Sequence, residues 1–210
     1  MRLIFLGPPG AGKGTQASRV ATILDVPHIS TGAMLRDHIA DGTDLGRQAA
    51  ERMEAGDLVP DDLVIAMLTD RIAGEDAVPG FILDGFPRNL AQARALRASP
   101  GGVVDRVVLL IVDESEIVRR ISGRRCCSRG HTFHLDDQPP ARPGVCDVDG
   151  DPLEQRPDDS EEVVRNRLAV YGRETEPLIG YYEELGLIVE IKASGPIPHI
   201  TKQILEAVRA

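Results

Sequence analysis

The stretch "RLIFLGPPGAGKGT" (residues 2–15) decides how the rest of the chain is read. Its first half is a short apolar run ended by Gly-Pro-Pro-Gly, which predicts a buried strand. Its second half follows the pattern G-x-x-x-x-G-K, with Gly7, Gly12 and Lys13. Glycines at this spacing let backbone N–H groups turn inward around a phosphate. A helix that begins at Lys13 adds the partial positive charge of its N-terminus, and the lysine reaches the outer phosphates. Lys13 is one of only three lysines, with Lys192 and Lys202. Strand before, helix after and lysine in place argue for a phosphate loop over a plain glycine turn. Alone, the loop specifies a nucleoside triphosphate and no particular reaction, because ATPases, GTPases and kinases share it.

Beyond the loop, "GFILDG" (80–85), "DRVVLLIVD" (105–113) and "GLIVEIK" (186–192) are further apolar runs of strand length. Helical patterns separate them at residues 61–73, 90–97, 114–123, 161–185 and 198–208. This alternation predicts an α/β fold: a doubly wound parallel sheet with helices on both faces. Two stretches break the alternation. Residues 30–59 are helical with no strong strand, and residues 123–159 are rich in Gly, Pro, Asp and Cys. Both read as insertions on a core formed by 1–29, 60–122 and 160–210. Ligands of such sheets bind at the carboxyl ends of the strands, where insertions become lids.

A chain of 210 residues supports one good core. Its net charge of −9 disfavours non-specific binding of nucleic acid or acidic membranes. No apolar run approaches the ~18 residues of a membrane span. The N-terminus enters the glycine loop rather than a cleavage site, so no signal peptide is expected. Three cysteines with no even framework suggest a reducing compartment, and cytoplasm is expected. Of the 24 basic residues 21 are Arg. Genomic composition accounts for the overall skew, yet each Arg offers a planar fork that binds phosphate oxygens two at a time.

Further motifs narrow the reaction: "GPPGAGKGTQ" (7–16), "ISTGAMLR" (29–36), "GDLVPDDLV" (56–64), "GFILDGFPRNLAQA" (80–93), "GRR" (123–125), "PLEQRPDDSEEVVRNRL" (152–168) and "TEPLIGYY" (175–182). In this order they span essentially the whole chain, which resembles the adenylate kinases in their long form with a full lid. The resemblance implies ATP + AMP ⇌ 2 ADP with Mg²⁺, in a monomer whose partners are ATP, AMP and ADP. The residue types agree with that chemistry. The acceptor is already a phosphate anion, so the reaction needs positive forks and exclusion of water but no general base.

Residue by residue, the resemblance implies that Gly10, Ala11, Gly12, Lys13, Gly14 and Thr15 cradle the ATP phosphates. Lys13 would follow the transferred group. Thr31, Gly32 and Arg36 would bind AMP, and Asp57, Leu58 and Val59 would line its adenine pocket. Asp84 would orient waters on Mg²⁺. Gly85, Phe86, Pro87 and Arg88 would face the AMP phosphate, with Gln92 pairing with the adenine edge. Arg120 and Arg124, read as four apart on one helix face, would approach ATP, Arg120 stacking on the base. Arg156 and Arg167 would reach across the transferring phosphoryl, while Asp158 and Asp159 help hold the lid closed. Thr132 and Phe133 would touch ATP from the lid, and the backbone near Ile197 its adenine. The family commonly has an acidic residue at Ala33; its loss removes a charge from a helix start but no phosphate ligand.

All three cysteines lie in "RRCCSRGH" (124–131) and "GVCDVDG" (144–150). The family often carries a Cys-x-x-Cys knuckle here, paired with Cys-x-x-Cys or Cys-x-x-Asp. "CDVD" fits as Cys146-x-x-Asp149. "CCSRGH" departs, offering Cys127-x-x-x-His131 in a lid one residue shorter than usual. One structural Zn²⁺ on Cys127, His131, Cys146 and Asp149 is expected, with His134 and Cys126 as rival ligands. Many family lids use a hydrogen-bonded polar cluster instead. Three other readings remain: a UMP or CMP kinase, a zinc-stabilised binding module, and a P-loop ATPase switch. Thr31 and Gln92 favour AMP over the other monophosphates. The binding module lacks aromatic stacking platforms. The ATPase would want Ser or Thr directly after Lys13, where Gly14 stands.

Overall fold

A computed structural model of the chain describes residues 1–209. The elements run β1 (Arg2–Leu6), α1 (Lys13–Leu24), β2 (His28–Ser30), α2 (Thr31–Ala40), α3 (Asp44–Ala55), α4 (Asp61–Ile72), β3 (Phe81–Asp84) and α5 (Leu90–Ala98). They continue through β4 (Arg106–Ile111), α6 (Glu114–Gly123), β5 (Arg124–Cys126), β6 (Thr132–His134), α7 (Glu161–Val170), α8 (Leu178–Glu184), β7 (Ile188–Lys192) and α9 (Ile197–Arg209).

The main sheet has the order β2-β3-β1-β4-β7, and every pair is parallel. Apolar side chains fill both faces. Ile4, Leu6, Leu83, Val107 and Leu109 pack against Leu68 and Leu178 on one face. Leu3, Phe5, Ile82, Val108 and Leu110 pack against Val20, Ile200 and Ile204 on the other. Burial on both faces is why these strands read as unbroken apolar runs rather than alternating ones. The chain leaves β1 toward β2 on one side and leaves β3 toward β4 on the other. The two connections diverge at the carboxyl ends of β1 and β3, the switch point where such sheets bind ligands.

The expected α/β architecture is present, with three differences of detail. A fifth strand, β2, is only three residues long, too short to carry a pattern. The helix expected over 161–185 is broken. Residues Tyr171–Thr175 form a π turn, and Pro177 precedes α8; proline supplies no N–H for a continuous ladder. Arg124 is not on the face of α6 with Arg120. The helix ends at Gly123, and Arg124 is extended as the first residue of β5. Gly123 marks that exit; an added Cβ there would meet the His134 imidazole, which packs directly over it.

Residues 30–59 form the α2–α3 hairpin. Residues 123–159 carry the antiparallel β5–β6 pair and a miniature core of Cys127, Phe133 and Cys146 against Leu153. A core that small cannot stabilise an insertion alone, which creates a demand for a staple. Among the described residues no helix is long and apolar enough to cross a membrane.

Candidate active site

The loop after β1 turns through Gly10, whose φ is +80° and where an added Cβ would stand only 2.9 Å from Ile121 Cγ1. Lys13 opens α1 and folds back over the loop, donating to the carbonyls of Gly7 at 2.7 Å and Pro8 at 2.8 Å. Burial lowers its pKa to about 8; Asp84 pulls the other way, while Arg88, Arg167 and Arg124 add repulsion. Asp84 closes β3. Burial pushes its carboxyl up, but His28, whose Nε2 lies 3.6 Å from Asp84 Oδ2, and the nearby Lys13 and Arg88 charges leave it below the usual range.

Across the cleft, the turn after β3 is tied to α2 and to the π turn. Thr31 Oγ1 donates to Gly85 O at 2.9 Å, and Thr175 Oγ1 donates to Arg88 O at 2.7 Å. Arg88 Nε donates to Gly85 O at 2.9 Å, which sets the start of its side chain and leaves the fork to the cleft. Burial lowers the Arg88 pKa, against the opposing charges of Asp84 and Asp158. Gln92 is 2% exposed and also lines the cleft. Phe86 differs from its neighbours. Its ring is in the core at 1% exposure, so only its backbone faces the turn.

Four more arginines crowd the mouth. Arg124 pairs with both oxygens of Asp159, whose side chain is fully buried. Arg167 pairs with Asp158 at 2.8 Å and reaches Asp159 at 3.5 Å. Burial first, then repulsion from Arg124 and Arg88, lowers the Arg167 pKa to about 10 despite Asp158 and Asp159. Arg156 Nε donates to Cys126 Sγ at 3.0 Å, and its Nη2 donates to Thr132 Oγ1 at 3.3 Å. Arg36 is buried beside this group, which lowers its pKa, with Arg156 adding to the effect. Asp158 and the buried Asp159 compensate Arg124 and Arg167 and hold their two forks near one another.

The remaining expected residues fall in three places. Ala11, Gly12, Gly14, Thr15, Gly32, Leu58, Val59 and Pro87 line the same cleft. Asp57 borders it and accepts from Asn166 Nδ2 at 3.0 Å, while the Ile197 carbonyl accepts from Gln16 Nε2 at 3.2 Å. Arg120 donates to Ala193 O at 2.7 Å and pairs with Glu116 at 2.8 Å. Phe133 is 7% exposed, packs with Cys127, Cys146 and Leu153, and also lines the cleft. Asp61, Asn89, Thr175 and Cys126 were missed as contributors. Asp61 and Thr175 lie inside quoted motifs, but only contact geometry shows what they hold.

The cleft between these walls has a volume of about 1590 Å³. A single small-molecule pocket is commonly ~300–1,000 Å³, so there is room here for more than one nucleotide.

A second cluster lies in the 123–159 insertion. Cys127, His131, Cys146 and Asp149 place one ligand atom each within 4.8 Å of one another. Cys127 Sγ is 3.3 Å from His131 Nδ1 and 3.2 Å from Asp149 Oδ2, and Cys146 Sγ is 3.5 Å from His131 Nδ1. Sulfur and nitrogen ligands of a tetrahedral zinc stand ~3.5 Å apart, so these edges fit. The His131–Asp149 edge, at 2.7 Å, is a hydrogen bond and would have to widen slightly. His134 is engaged elsewhere, its Nδ1 accepting from the Asp136 and Asp137 N–H groups at 3.1 and 3.0 Å. Cys126 points to Arg156 instead.

The adenylate kinase family model matches residues 5–187. Relatives named adenylate kinase include one from Streptomyces griseus, 52% identical over all of this chain and 98% of its own length. Another, from Acidothermus cellulolyticus, is 51% identical over the whole chain and 98% of its own. A third, from Methanothrix thermoacetophila, is 45% identical over 97% of this chain and 96% of its own. A family model covering most of the chain, and relatives matched end to end, agree with the phosphate loop at the switch point: the chain belongs to the adenylate kinase family.

Proposed function

We propose that this chain transfers a phosphoryl group reversibly between ATP and AMP, giving two ADP, with Mg²⁺ bound alongside ATP. One observation carries this reading: a single cleft has the phosphate loop on one wall, the Asp84–Arg88 turn on the other, and arginine forks between. An AMP phosphate oxygen forms the new bond to the γ-phosphorus as the bond to the ADP leaving oxygen breaks. No proton need move, so charge stabilisation and alignment are the catalytic means. Lys13 follows the moving group and Arg88 holds the acceptor phosphate. Arg124, Arg156 and Arg167 balance charge across the transfer, exchanging their Asp158 and Asp159 partners for phosphate oxygens. Asp84 would hold Mg²⁺, which would supply neutralising charge beside the ATP phosphates. Gly10–Thr15, Arg120, Thr132, Phe133 and Ile197 serve ATP. Thr31, Gly32, Arg36, Asp57–Val59, Gly85–Arg88 and Gln92 serve AMP. A cleft completed within one chain suits a monomer, and three free thiols suit a reducing cytoplasm. The test is ADP formation from ATP with AMP, measured against UMP and CMP. A preference for UMP or CMP would replace AMP as the acceptor.

Residues 30–59 and 123–159 act as two lids on a core of 1–29, 60–122 and 160–210. An open site admits water as a competing acceptor, so productive transfer requires closure. Labels at Gln48, Val148 and Glu183 report one site on each lid and one on the core. Both lid-to-core distances should shorten when a two-nucleotide analogue binds; no change in either contradicts the scheme.

Lys13 adds a pH prediction. With its pKa at about 8 in the free chain, most of the ammonium is deprotonated at pH 9. Bound phosphate favours the charged form, so ATP binding at pH 9 takes up about one proton and at pH 7 takes up none at this site. Calorimetry in buffers of different ionisation enthalpy reads this directly. Lys13→Arg stays charged throughout and should lose the buffer dependence.

The Cys127, His131, Cys146 and Asp149 cluster holds one Zn²⁺ in a closed site. Four protein ligands leave no position for substrate, so the metal braces the lid and takes no part in transfer.

A further inference from the structure

The AMP wall contains a carboxamide whose two ends are already committed. Gln92 Oε1 accepts from the Arg88 N–H at 2.7 Å, and Gln92 Nε2 donates to Asp61 Oδ1 at 2.7 Å. Asp61 is fixed in turn. Asn89 Nδ2 donates to its two oxygens at 2.9 and 3.1 Å, while Asn89 Oδ1 accepts from the Gln92 N–H at 2.9 Å. These partners determine which way the Gln92 amide points. A backbone N–H can only donate and an ionised carboxylate can only accept, so Oε1 must face Arg88 and Nε2 must face Asp61.

A carboxamide has two donor hydrogens and two acceptor lone pairs. The Asp61 and Arg88 bonds use one of each. What remains is one N–H and one lone pair, in fixed order along the cleft. A 6-aminopurine presents an acceptor at N1 and a donor at the 6-amino group, which that pair satisfies. A 6-oxopurine presents the same two positions with opposite polarity. Matching it would require Gln92 to turn end for end. Its oxygen would then face the Asp61 carboxylate and its NH₂ the Arg88 N–H. At 2% exposure, water has little access to repair either mismatch.

We propose that Asp61 is a specificity-determining positioning residue. Its carboxylate locks the Gln92 amide in the orientation that accepts 6-amino and rejects 6-oxo purine monophosphates. The proposal rests on the assignment of this wall to AMP. Asp61 acts through Gln92 and does not itself touch the nucleotide.

The test is kcat/KM with ATP as donor and AMP, IMP or CMP as acceptor. IMP reverses the polarity at N1 and position 6 without adding a 2-amino group. CMP keeps the acceptor–donor polarity of adenine on a smaller ring, so it reports pocket size alone. Asp61→Asn supplies a group that can donate to a turned Gln92, and Asp61→Ala removes the lock. The AMP:IMP ratio should fall about tenfold in both, the order expected for one bidentate base contact, while the AMP:CMP ratio stays in place. An unchanged AMP:IMP ratio in both variants overturns the proposal. So does a parallel fall in the IMP and CMP ratios, which would mean only a looser pocket. Should neither variant fold, side-chain amide NMR of the wild-type chain decides. One Gln92 Nε2 proton, shifted downfield and slow to exchange with water, is expected; two fast-exchanging protons at ordinary glutamine shifts overturn the lock. A wild-type chain that makes no ADP from ATP and AMP would instead sink the underlying assignment.

Discussion

Arg88→Ala loses turnover on the order of 10³-fold while unfolding at nearly the wild-type temperature. The asymmetry follows from where the side chain sits. Its backbone carries structure, since the N–H caps Gln92 and the carbonyl accepts from Thr175. Both contacts survive truncation. Among the described residues the guanidinium bonds the protein only through Nε to Gly85 O, and that carbonyl keeps the Thr31 hydroxyl as a partner. Arg88 repels Lys13 and Arg167 and is attracted by Asp84 and Asp158, so deleting the cation relieves some charge contacts as it loses others. Removal therefore costs folding little. In its proposed role, with nucleotides bound, the same cation and its two parallel donors would face a phosphoryl group whose charge redistributes during transfer, and the variant would lose that stabilisation in full. Arg88→Lys keeps the charge but not the fork, and should recover only a minor part. Steady-state rates beside thermal unfolding of the three proteins check this. Near wild-type turnover in Arg88→Ala would remove the residue from the active site.

Much of the sheet was legible because its strands are buried on two faces, and "RLIFL" or "RVVLLI" has no other soluble use. β2 was not legible, because three residues of "HIS" hold no period; it exists only because β3 offers an edge to pair with. The break after Val170 was hidden for a related reason. Local sequence there is helix-permissive, and Pro177 permits a helix to restart just past it. At the candidate site, motif positions found the cleft walls but not the groups that hold them. Asp61 and Thr175 act across 31 and 87 residues of sequence, on Gln92 and Arg88. No local pattern encodes such separations. Phe133 is doubly placed, packed in the small core of the 123–159 insertion and lining the cleft, and its motif pointed only to the second.

Purified protein should carry about one zinc per chain, and Cys146→Ser should lose it. The lid gives the reason. Its core is Cys127, Phe133 and Cys146 with Leu153 beside them, so two of its three buried members are themselves ligand candidates. Without metal, the cluster is a set of weak thiol hydrogen bonds around one His131–Asp149 contact. With metal, four bonds join the two halves of the insertion, which are 15 residues apart between His131 and Cys146. Even a loss of about 2 kcal/mol would lower the midpoint of a chain this size by about 4–8 °C. Activity at low temperature should largely persist, because the arginines proposed to meet nucleotide are not members of the cluster. Cys126→Ser should keep both metal and midpoint, since its sulfur faces Arg156 rather than the cluster. A purely hydrogen-bonded lid predicts a different pattern: no metal, and no response of the midpoint to chelator. Zinc absent from protein purified without chelator would therefore end the proposal. Zinc retained in both Cys127→Ser and His131→Ala would leave the metal but show that its first two ligands lie elsewhere.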